Sequence, residues 1–177
     1  MIPAEELSLL FSAYQSFLFN ELLRRLLADL GVELLSVPGV AGPYHFYRRL
    51  DADRLSYLRG LRLPLAASRM AFPDRRTAAL FDQILEERGI RRPNFNLRKV
   101  RQAFFKSSPR EAVVFPEGLH IGSPQPDELY PGRMKLELAF RLARGSYATI
   151  LIKRLTLRSA GRRARSGTSF HPTGQTE

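Results

Sequence analysis

The chain has 177 residues, of which 44% are hydrophobic and 25% charged, and it carries a formal net charge of +11 at pH 7. This length and composition predict one folded domain, with or without an appendage, and exclude an intrinsically disordered chain. The excess of positive charge indicates a polyanionic partner, nucleic acid before an anionic membrane.

A long amphipathic helix is predicted over residues 5–30, with Gly31 suited to its C′ position. Apolar residues recur at three- and four-residue spacing and predict one buried face, formed by Leu7, Leu10, Phe11, Tyr14, Leu18, Leu22 and Leu26. No charged residue occurs between positions 7 and 20, where a second, uncharged polar stripe consists of Ser12, Gln15, Ser16 and Asn20. We therefore expect the first half of this helix to be covered on both faces.

The middle of the chain is predicted to mix short strands with helices. Turn-forming Pro and Gly residues divide positions 32–72 into short strands and one helix near 52–58. A clearer helix follows, with Asp74 as its N-cap and Gly89 at its end. A third helix is predicted over 96–105, and a short buried strand over 111–116.

The C-terminal part is predicted to contain a strand, a helix and a tail. Strict alternation over 134–142 predicts a strand whose inward residues are Met134, Leu136, Leu138, Phe140 and Leu142. The following ARGSYATILIKRL predicts a helix capped by Ser146, although a continuing strand competes because ATILI is rich in β-branched residues. Positions 158–177 have no periodic apolar face and predict a disordered basic tail.

The first candidate site is a basic tract at 88–110, which contains no acid. Its eight cations are Arg88, Arg91, Arg92, Arg98, Lys99, Arg101, Lys106 and Arg110. Arginine outnumbers lysine 24 to 4 in the chain, a skew that a GC-rich genome also produces, but skew does not change the excess of cations over acids. We interpret these charges as contacts to RNA phosphates, and Phe95, Phe104 and Phe105 as core residues.

Two shorter segments are weaker candidates. PYHFYRRL, at 43–50, could stack on bases, although a strand with one buried face is the favoured interpretation. In R-G-S-Y-A-T, at 144–149, a strand would deliver Arg-Gly-Ser to a helix N-terminus and create an anion site, with an ordinary capped turn as the alternative.

Several classes of chemistry lack a signal. The chain has no cysteine, which excludes disulfides and thiol catalysis and fits a reducing cytoplasm, and its three scattered histidines predict no metal site. No apolar run is long enough to cross a membrane, and the acidic N-terminus is unlike a secretory signal peptide. Neither a nucleophile elbow nor a glycine-rich phosphate loop occurs. We expect a cytoplasmic protein with no membrane partner.

Two of these segments resemble signature segments of the TruD family of tRNA pseudouridine synthases. LFSAYQSFLFNELLRRLL, at 10–27, is similar to the family's Ser-Ala-x-x-Ser-x-x-Phe-Asn helix, and FRLARGSYATILIKRL, at 140–155, to its Phe-x-Leu-Pro-x-Gly-Ser-Tyr-Ala-Thr segment. LRLPLAAS, the helix ending ILEERGI, and FFKSSPREAVVFP resemble the inserted domain more loosely. Ala143 stands where the family usually has Pro, and Ala66-Ala67 where it has a Gly-containing turn.

The resemblance implies an α+β fold. An incomplete pseudouridine-synthase catalytic domain, one long helix plus a C-terminal strand and helix, would carry the mixed α/β inserted domain. The implied boundaries are 1–31 for the catalytic-domain helix, 32–132 for the inserted domain, 133–157 for the return to the catalytic domain, and 158–177 for the tail. The implied reaction converts uridine in tRNA to pseudouridine through an aspartate nucleophile, with no metal or organic cofactor.

The family's Gly-x-Lys-Asp segment, which carries that nucleophile, and the Asn-Tyr-Phe-Gly-x-Gln-Arg-Phe-Gly segment of its uridine pocket do not occur in the 177 residues. We therefore expect no catalytic residue here, no turnover by the chain alone, and a partner in the missing N-terminal half of the enzyme. The expected RNA contacts are Arg144, Gly145, Ser146, Tyr147, Thr149, Arg91, Arg92, Arg98, Lys99, Arg101, Lys106 and Arg110. The expected supports of the active site are Ser12, Gln15, Ser16 and Asn20.

Two alternatives remain open at this point. One is a non-catalytic RNA-binding module that keeps the basic surface without an active site. The other is a pseudogene product with no role.

Overall fold

The computed structural model of the chain describes residues 3–39, 42–97 and 104–157. The described residues form four helices, α1 (Ala4–Asp29), α2 (Ala52–Gly60), α3 (Arg75–Glu86) and α4 (Ala148–Leu155), and a 3₁₀ turn at Arg92–Phe95. Their strands are β1 (Leu34–Val37), β2 (Tyr44–Tyr47), β3 (Arg62–Pro64), β4 (Pro109–Glu111), β5 (Glu117–Ile121), β6 (Gln125–Pro126), β7 (Met134–Lys135) and β8 (Leu138–Arg141). They pair antiparallel as β1–β2, β3–β4, β5–β8 and β6–β7. The predicted α+β class is confirmed.

The long first helix is confirmed to within one residue at each end. Glu5 and Glu6 lie in its first turn, near the positive end of the helix dipole. At the other end Gly31 adopts a φ of +69°, and the Val32 amide donates to the Leu27 carbonyl at 2.9 Å. This left-handed glycine stops the helix and turns the chain toward β1.

The core is built on the inner half of α1, residues 18–29. Leu18, Leu22 and Leu26 are fully buried in a cluster that also contains Phe81 and Ile84 of α3. Each such side chain contributes about 1.5–3 kcal/mol by leaving water. Ion pairs from Arg25 to Glu87 and from Arg76 to Asp29 join the two helices at the edge of this contact. Residues 18–29 are therefore held in place by buried apolar contacts and by two ion pairs.

The outer half of α1, residues 4–17, is different. Leu9 is 70% exposed and Leu10 is 56% exposed. Leu7 is only half-buried, and Gln15 is the single fully buried residue of this half. The expectation of a continuous buried face is wrong here, because Leu10 is mostly exposed and Leu7, Phe11 and Tyr14 are only half-buried.

Helix α3 begins and ends where the sequence indicates. The Asp74 carboxylate accepts from the Thr77 amide at 2.7 Å, and this hydrogen bond lowers the pKa of Asp74. Thr77 is fully buried and its hydroxyl returns a hydrogen bond to the Asp74 carbonyl. Gly89, with a φ of +64°, follows the last turn. The predicted helix near 52–58 is also confirmed as α2.

Two predictions in the middle of the chain fail or fall outside the description. The strand expected at 111–116 lies at β4 instead, because β4 has only the three residues of β3 to pair with. Of residues 112–116 only Ala112 is buried, and its amide donates a hydrogen bond to the Leu61 carbonyl. The helix expected at 96–105 falls mostly on residues 98–103, which lie outside the described residues, and its described ends are not helical.

The strand expected at 134–142 is two strands with different partners. β7 pairs with β6, whereas β8 pairs with β5. Met134 and Leu136 are exposed, and no side chain of residues 113–157 is fully buried. Burial alternates only over 138–142, where Leu138, Phe140 and Leu142 are half-buried and their neighbours are exposed.

Helix α4 is confirmed in preference to a continuing strand. Its N-cap is Tyr147, without a side-chain hydrogen bond, so the prediction of Ser146 as the cap is wrong. The predicted tail at 158–177 lies outside the described residues. Within residues 3–39, 42–97 and 104–157, no helix is long and apolar enough to cross a membrane.

Candidate nucleic-acid interface and supporting helix

The R-G-S-Y-A-T segment spans the end of the turn between β8 and α4 and the first two residues of α4. Gly145 has a φ of +91°, a conformation that side-chain-bearing residues rarely adopt, and the Ser146 amide donates to the Ala143 carbonyl at 3.1 Å. Arg144 and Thr149 are exposed, and Tyr147 is 59% exposed. This turn presents a guanidinium and an aromatic ring to solvent, which suits contact with a phosphate and a base.

The described cations of the basic tract are not equally available. Arg92 forms a bidentate ion pair with Asp82, with both contacts at 2.8 Å, and its guanidinium lies 4.9 Å from the centre of the Phe72 ring. Its assignment as a free phosphate contact is therefore not supported by its surroundings. Arg91 and Lys106 are exposed, and Arg110 is half-buried on β4. Arg98, Lys99 and Arg101 lie outside the described residues.

The phenylalanines of the tract separate into two groups. Phe95 is buried, and Phe105 stacks on Phe11 at 4.4 Å while meeting Phe95 edge-on at 5.1 Å. Phe104 is 75% exposed, so its assignment to the core is wrong. Neighbouring side chains of a non-helical segment project to opposite sides, and only one of the pair reaches α1.

The polar stripe of α1 is divided by its partners. Gln15 is buried, and its Nε2 donates to the Ala66 carbonyl at 2.7 Å and to the Lys106 carbonyl at 3.0 Å. Both acceptors of the Gln15 amide therefore lie in this chain. Ser12 and Asn20 are exposed and Ser16 is half-buried, so the described residues do not cover the first half of α1 on both faces as expected.

An exposed surface without charge runs along α1 and includes part of this stripe. It contains Leu9, Leu10, Ala13 and Phe17 together with Ser12 and Asn20. Phe17 is 41% exposed, and the Arg88 guanidinium lies 5.0 Å from the centre of its ring. We call this surface the uncharged arc.

A second aromatic and basic group joins β2 to α4. The Lys153 ammonium lies 5.3 Å from the centre of the Tyr44 ring, and the Arg154 guanidinium 4.8 Å from that of Tyr47. Phe46 is buried, which confirms PYHFYRRL as a strand with a buried face. The sequence does not predict these contacts between β2 and α4, because the two elements are far apart in the chain and share no motif.

The acids around the inner half of α1 are engaged in ion pairs. Hydrogen bonds from Arg24, and then from Arg25, lower the pKa of Glu21 to about 2, although partial burial opposes them. Glu87 also has a lowered pKa because it accepts from Arg25. Among the residues that the structure describes, no group of three carboxylate or imidazole side chains could hold a metal ion.

Comparison with known proteins gives a family match and several relatives. The model of the family described as tRNA pseudouridine synthase D (TruD) matches residues 59–155, a range that includes the basic tract and the R-G-S-Y-A-T turn. The probable tRNA pseudouridine synthase D 2 of Methanocaldococcus jannaschii is 31% identical over 148 residues, which are 82% of this chain and 35% of that protein.

Two further relatives give the same picture. The probable tRNA pseudouridine synthase D 1 of Methanococcus maripaludis is 30% identical over 83% of this chain and 38% of its own length. The tRNA pseudouridine synthase D of Leptospira interrogans is 27% identical over 89% of this chain and 39% of its own length. The chain thus spans little more than a third of the curated relatives that it matches.

Proposed function

The chain belongs to the TruD family of tRNA pseudouridine synthases, and from this premise we propose that it serves the isomerisation of uridine to pseudouridine in tRNA by contacting the tRNA and supporting the active site. The nucleophilic aspartate would come from a segment outside these 177 residues, on the same polypeptide or on another. The chain alone would then give no turnover.

The uncharged arc of α1 is the observation that carries the supporting role. One residue in four of the chain is charged, yet the exposed surface between positions 7 and 20 has no charge and displays Leu9, Leu10 and Phe17. Clustered exposed apolar side chains of this size are typical of a surface that another polypeptide covers. The relatives contain more than half of their length beyond the matched part, which is enough chain to cover it.

The proposed domain organisation follows from where burial stops. Residues 113–157 have no fully buried side chain, and β5–β8 is a two-stranded sheet. An isolated pair of strands is marginally stable in water and needs further packing. We assign 1–31 and 133–157 to an incomplete catalytic domain, and 32–132 to the inserted domain. Helix α3 of the inserted domain packs against the inner half of α1.

The proposed RNA contacts are the exposed side chains of the turn before α4 and the basic tract. Moving a base out of its stack costs a few kcal/mol, which contacts to the backbone and to neighbouring bases must offset. Arg144, Tyr147 and Thr149 offer a cation, a ring and a hydroxyl. Arg91 and Lys106 are exposed, and the sequence adds Arg98, Lys99 and Arg101. Ser12, Ser16 and Asn20 would support the covering segment rather than react.

A non-catalytic RNA-binding module is the second candidate. It is favoured by one observation, a tract of eight cations without an acid in a chain that has no Gly-x-Lys-Asp segment. Both candidates predict binding of tRNA that weakens as salt rises, so binding alone does not separate them.

Pseudouridine formation on unmodified bulk tRNA separates the two functions. The chain is assayed alone and after addition of the N-terminal portion of a TruD relative that contains the Gly-x-Lys-Asp segment. We expect product only from the mixture, and none when the aspartate of the added portion is replaced by asparagine. Product from the chain alone would contradict the proposal, since one of its own aspartates would have to be the nucleophile. No product in either case, with salt-sensitive tRNA binding, would establish the binding module.

A further inference from the structure

We propose that the open depression between the β1–β2 hairpin and α4 binds one unpaired RNA nucleotide, with the base on the Tyr44 ring and its phosphate against Lys153. The inference rests on the proposed function in taking RNA as the partner. It adds a contact at Tyr44, which lies outside the two segments that resemble the family signatures.

The depression has the size and lining of a small ligand site. Its volume is about 350 Å³, and it is lined by Pro38, Gly39, Tyr44 and Lys153. Ligand sites in proteins range upward from about 300 Å³, so this one suits a single nucleotide better than a large cofactor. Tyr44 and Lys153 are both half-buried, which leaves the ring and the ammonium accessible from solvent.

The backbone fixes the ring that would receive the base. A Cβ atom at position 39 would overlap the Tyr44 side chain, so a glycine is required for the ring to lie against the backbone at this position. A ring held in place before binding loses little entropy when a base stacks on it.

The energies favour exchange of the lysine for a base. A cation over an aromatic ring at an exposed site contributes about 0.5–1 kcal/mol, whereas a base stacked on an aromatic side chain contributes about 1–3 kcal/mol. The Lys153 ammonium, 5.3 Å from the ring centre, can therefore leave the ring and pair with the phosphate of the same nucleotide. A strong buried ion pair would not yield in this way, and Lys153 has none with the described acids.

The surroundings give the RNA strand a path. Helix α4, with its eight residues, is about 12 Å long at 1.5 Å per residue, so RNA that contacts Tyr147 at its start reaches Lys153 within a few nucleotides. Arg154, the next residue of α4, lies over the Tyr47 ring of β2 and adds a second cation between the same two elements. The same helix therefore begins at the exposed turn and contributes Lys153 to the depression.

The test measures binding of a short single-stranded oligouridylate and of inorganic polyphosphate to the full chain at several salt concentrations. Tyr44→Leu removes the ring and Tyr44→Phe keeps it. We expect Tyr44→Leu to weaken oligouridylate binding about 5- to 100-fold and to leave polyphosphate binding unchanged, while Tyr44→Phe binds as the parent chain does. Lys153→Met should reduce the slope of log K against log salt by about 0.7, and Lys153→Arg should preserve it.

Three results would overturn the proposal: unchanged oligouridylate binding in both Tyr44→Leu and Lys153→Met, equal losses in Tyr44→Leu and Tyr44→Phe, or an equal loss of polyphosphate binding. If Tyr44→Leu does not fold, the salt slope of Lys153→Met decides. Pseudouridine formation is scored separately. Product from the mixture without any dependence on Tyr44 refutes the nucleotide site alone, and dependence on Tyr44 without product refutes the synthase role alone.

Discussion

The two halves of α1 share the same apolar spacing and have opposite surroundings. In the inner half, Leu18, Leu22 and Leu26 are fully buried against α3. In the outer half, Leu9 and Leu10 face solvent, and Phe11 is only half-buried against Phe105. Apolar spacing of three and four residues therefore marks a face that packs, but it does not say whether the packing partner belongs to the same chain.

The same difference separates the middle of the chain from its C-terminal part. Residues 58–67 contribute a dense set of buried side chains, whereas residues 113–157 contribute none. A chain that spans about a third of its relatives' length can complete one core and leave the surface of a second one open.

The largest expected effect is at Leu22. Leu22→Ala should lower the free energy of unfolding by about 2–5 kcal/mol, because the site is closed on all sides and the cavity cannot collapse. The matched change in the outer half, Leu10→Ala, should cost less than about 0.5 kcal/mol. Urea unfolding followed by circular dichroism measures both. Equal losses would mean that the outer half is covered in the isolated chain.

A smaller effect is expected at Gln15, whose side chain hydrogen-bonds the outer half to two backbone carbonyls elsewhere in the chain. Gln15→Leu leaves the carbonyls of Ala66 and Lys106 without their donor and should cost about 1–3 kcal/mol. The control is Asn20→Leu, an exposed neighbour on the same stripe, which should be nearly neutral. If the two variants unfold at the same urea concentration, the two hydrogen bonds do not hold the outer half.

The ion pairs at the edge of the inner half predict a pH effect. The pKa of Glu21 is about 2 in the folded chain against an ordinary value of 4.5, so its contribution is complete above pH 4.5 and is lost as pH falls toward 2. Because the pair is partly exposed, we expect about 0.2–1 kcal/mol. Glu21→Gln should flatten the fall in stability across that window in thermal unfolding. A variant with the same acid profile as the parent chain would contradict this assignment.

The smallest effect on stability is expected in the uncharged arc, where the informative measurement is pseudouridine formation. Leu9→Glu should change the free energy of unfolding by less than about 0.5 kcal/mol, since the side chain is already exposed. Pseudouridine formation by the mixture should nevertheless fall sharply, because a buried unpaired carboxylate opposes assembly. Unchanged product formation would show that this surface stays open in the complex. Glu5→Gln, in the first turn of the same helix, is the control.

Local signals explain which parts of the fold could be predicted. The bounds of α1 and α3 follow from Gly31, Asp74 and Gly89, each of which acts on its immediate neighbours. β4 and the division of 134–142 into β7 and β8 could not be predicted, because they depend on partners elsewhere in the chain. Alternation in a strand's sequence predicts that one of its faces is buried. It does not predict which strand pairs with it or where that pairing ends.

The candidate site divides along the same line. The prediction that a strand delivers Arg-Gly-Ser to the start of a helix depends on local sequence and is confirmed, and Arg144 and Tyr147 are exposed there. The ion pair of Arg92 with Asp82 and the stacking of Lys153 on Tyr44 are contacts between separate elements, and the sequence contains no periodic sign of them.

The continuity of α1 has a mechanical consequence. Its 26 residues form one uninterrupted rod of about 39 Å, anchored along one half only. A continuous helix bends sharply only where its hydrogen-bond ladder is interrupted. A polypeptide that packed on the outer half would therefore be held at a fixed orientation to the core, without a hinge between them.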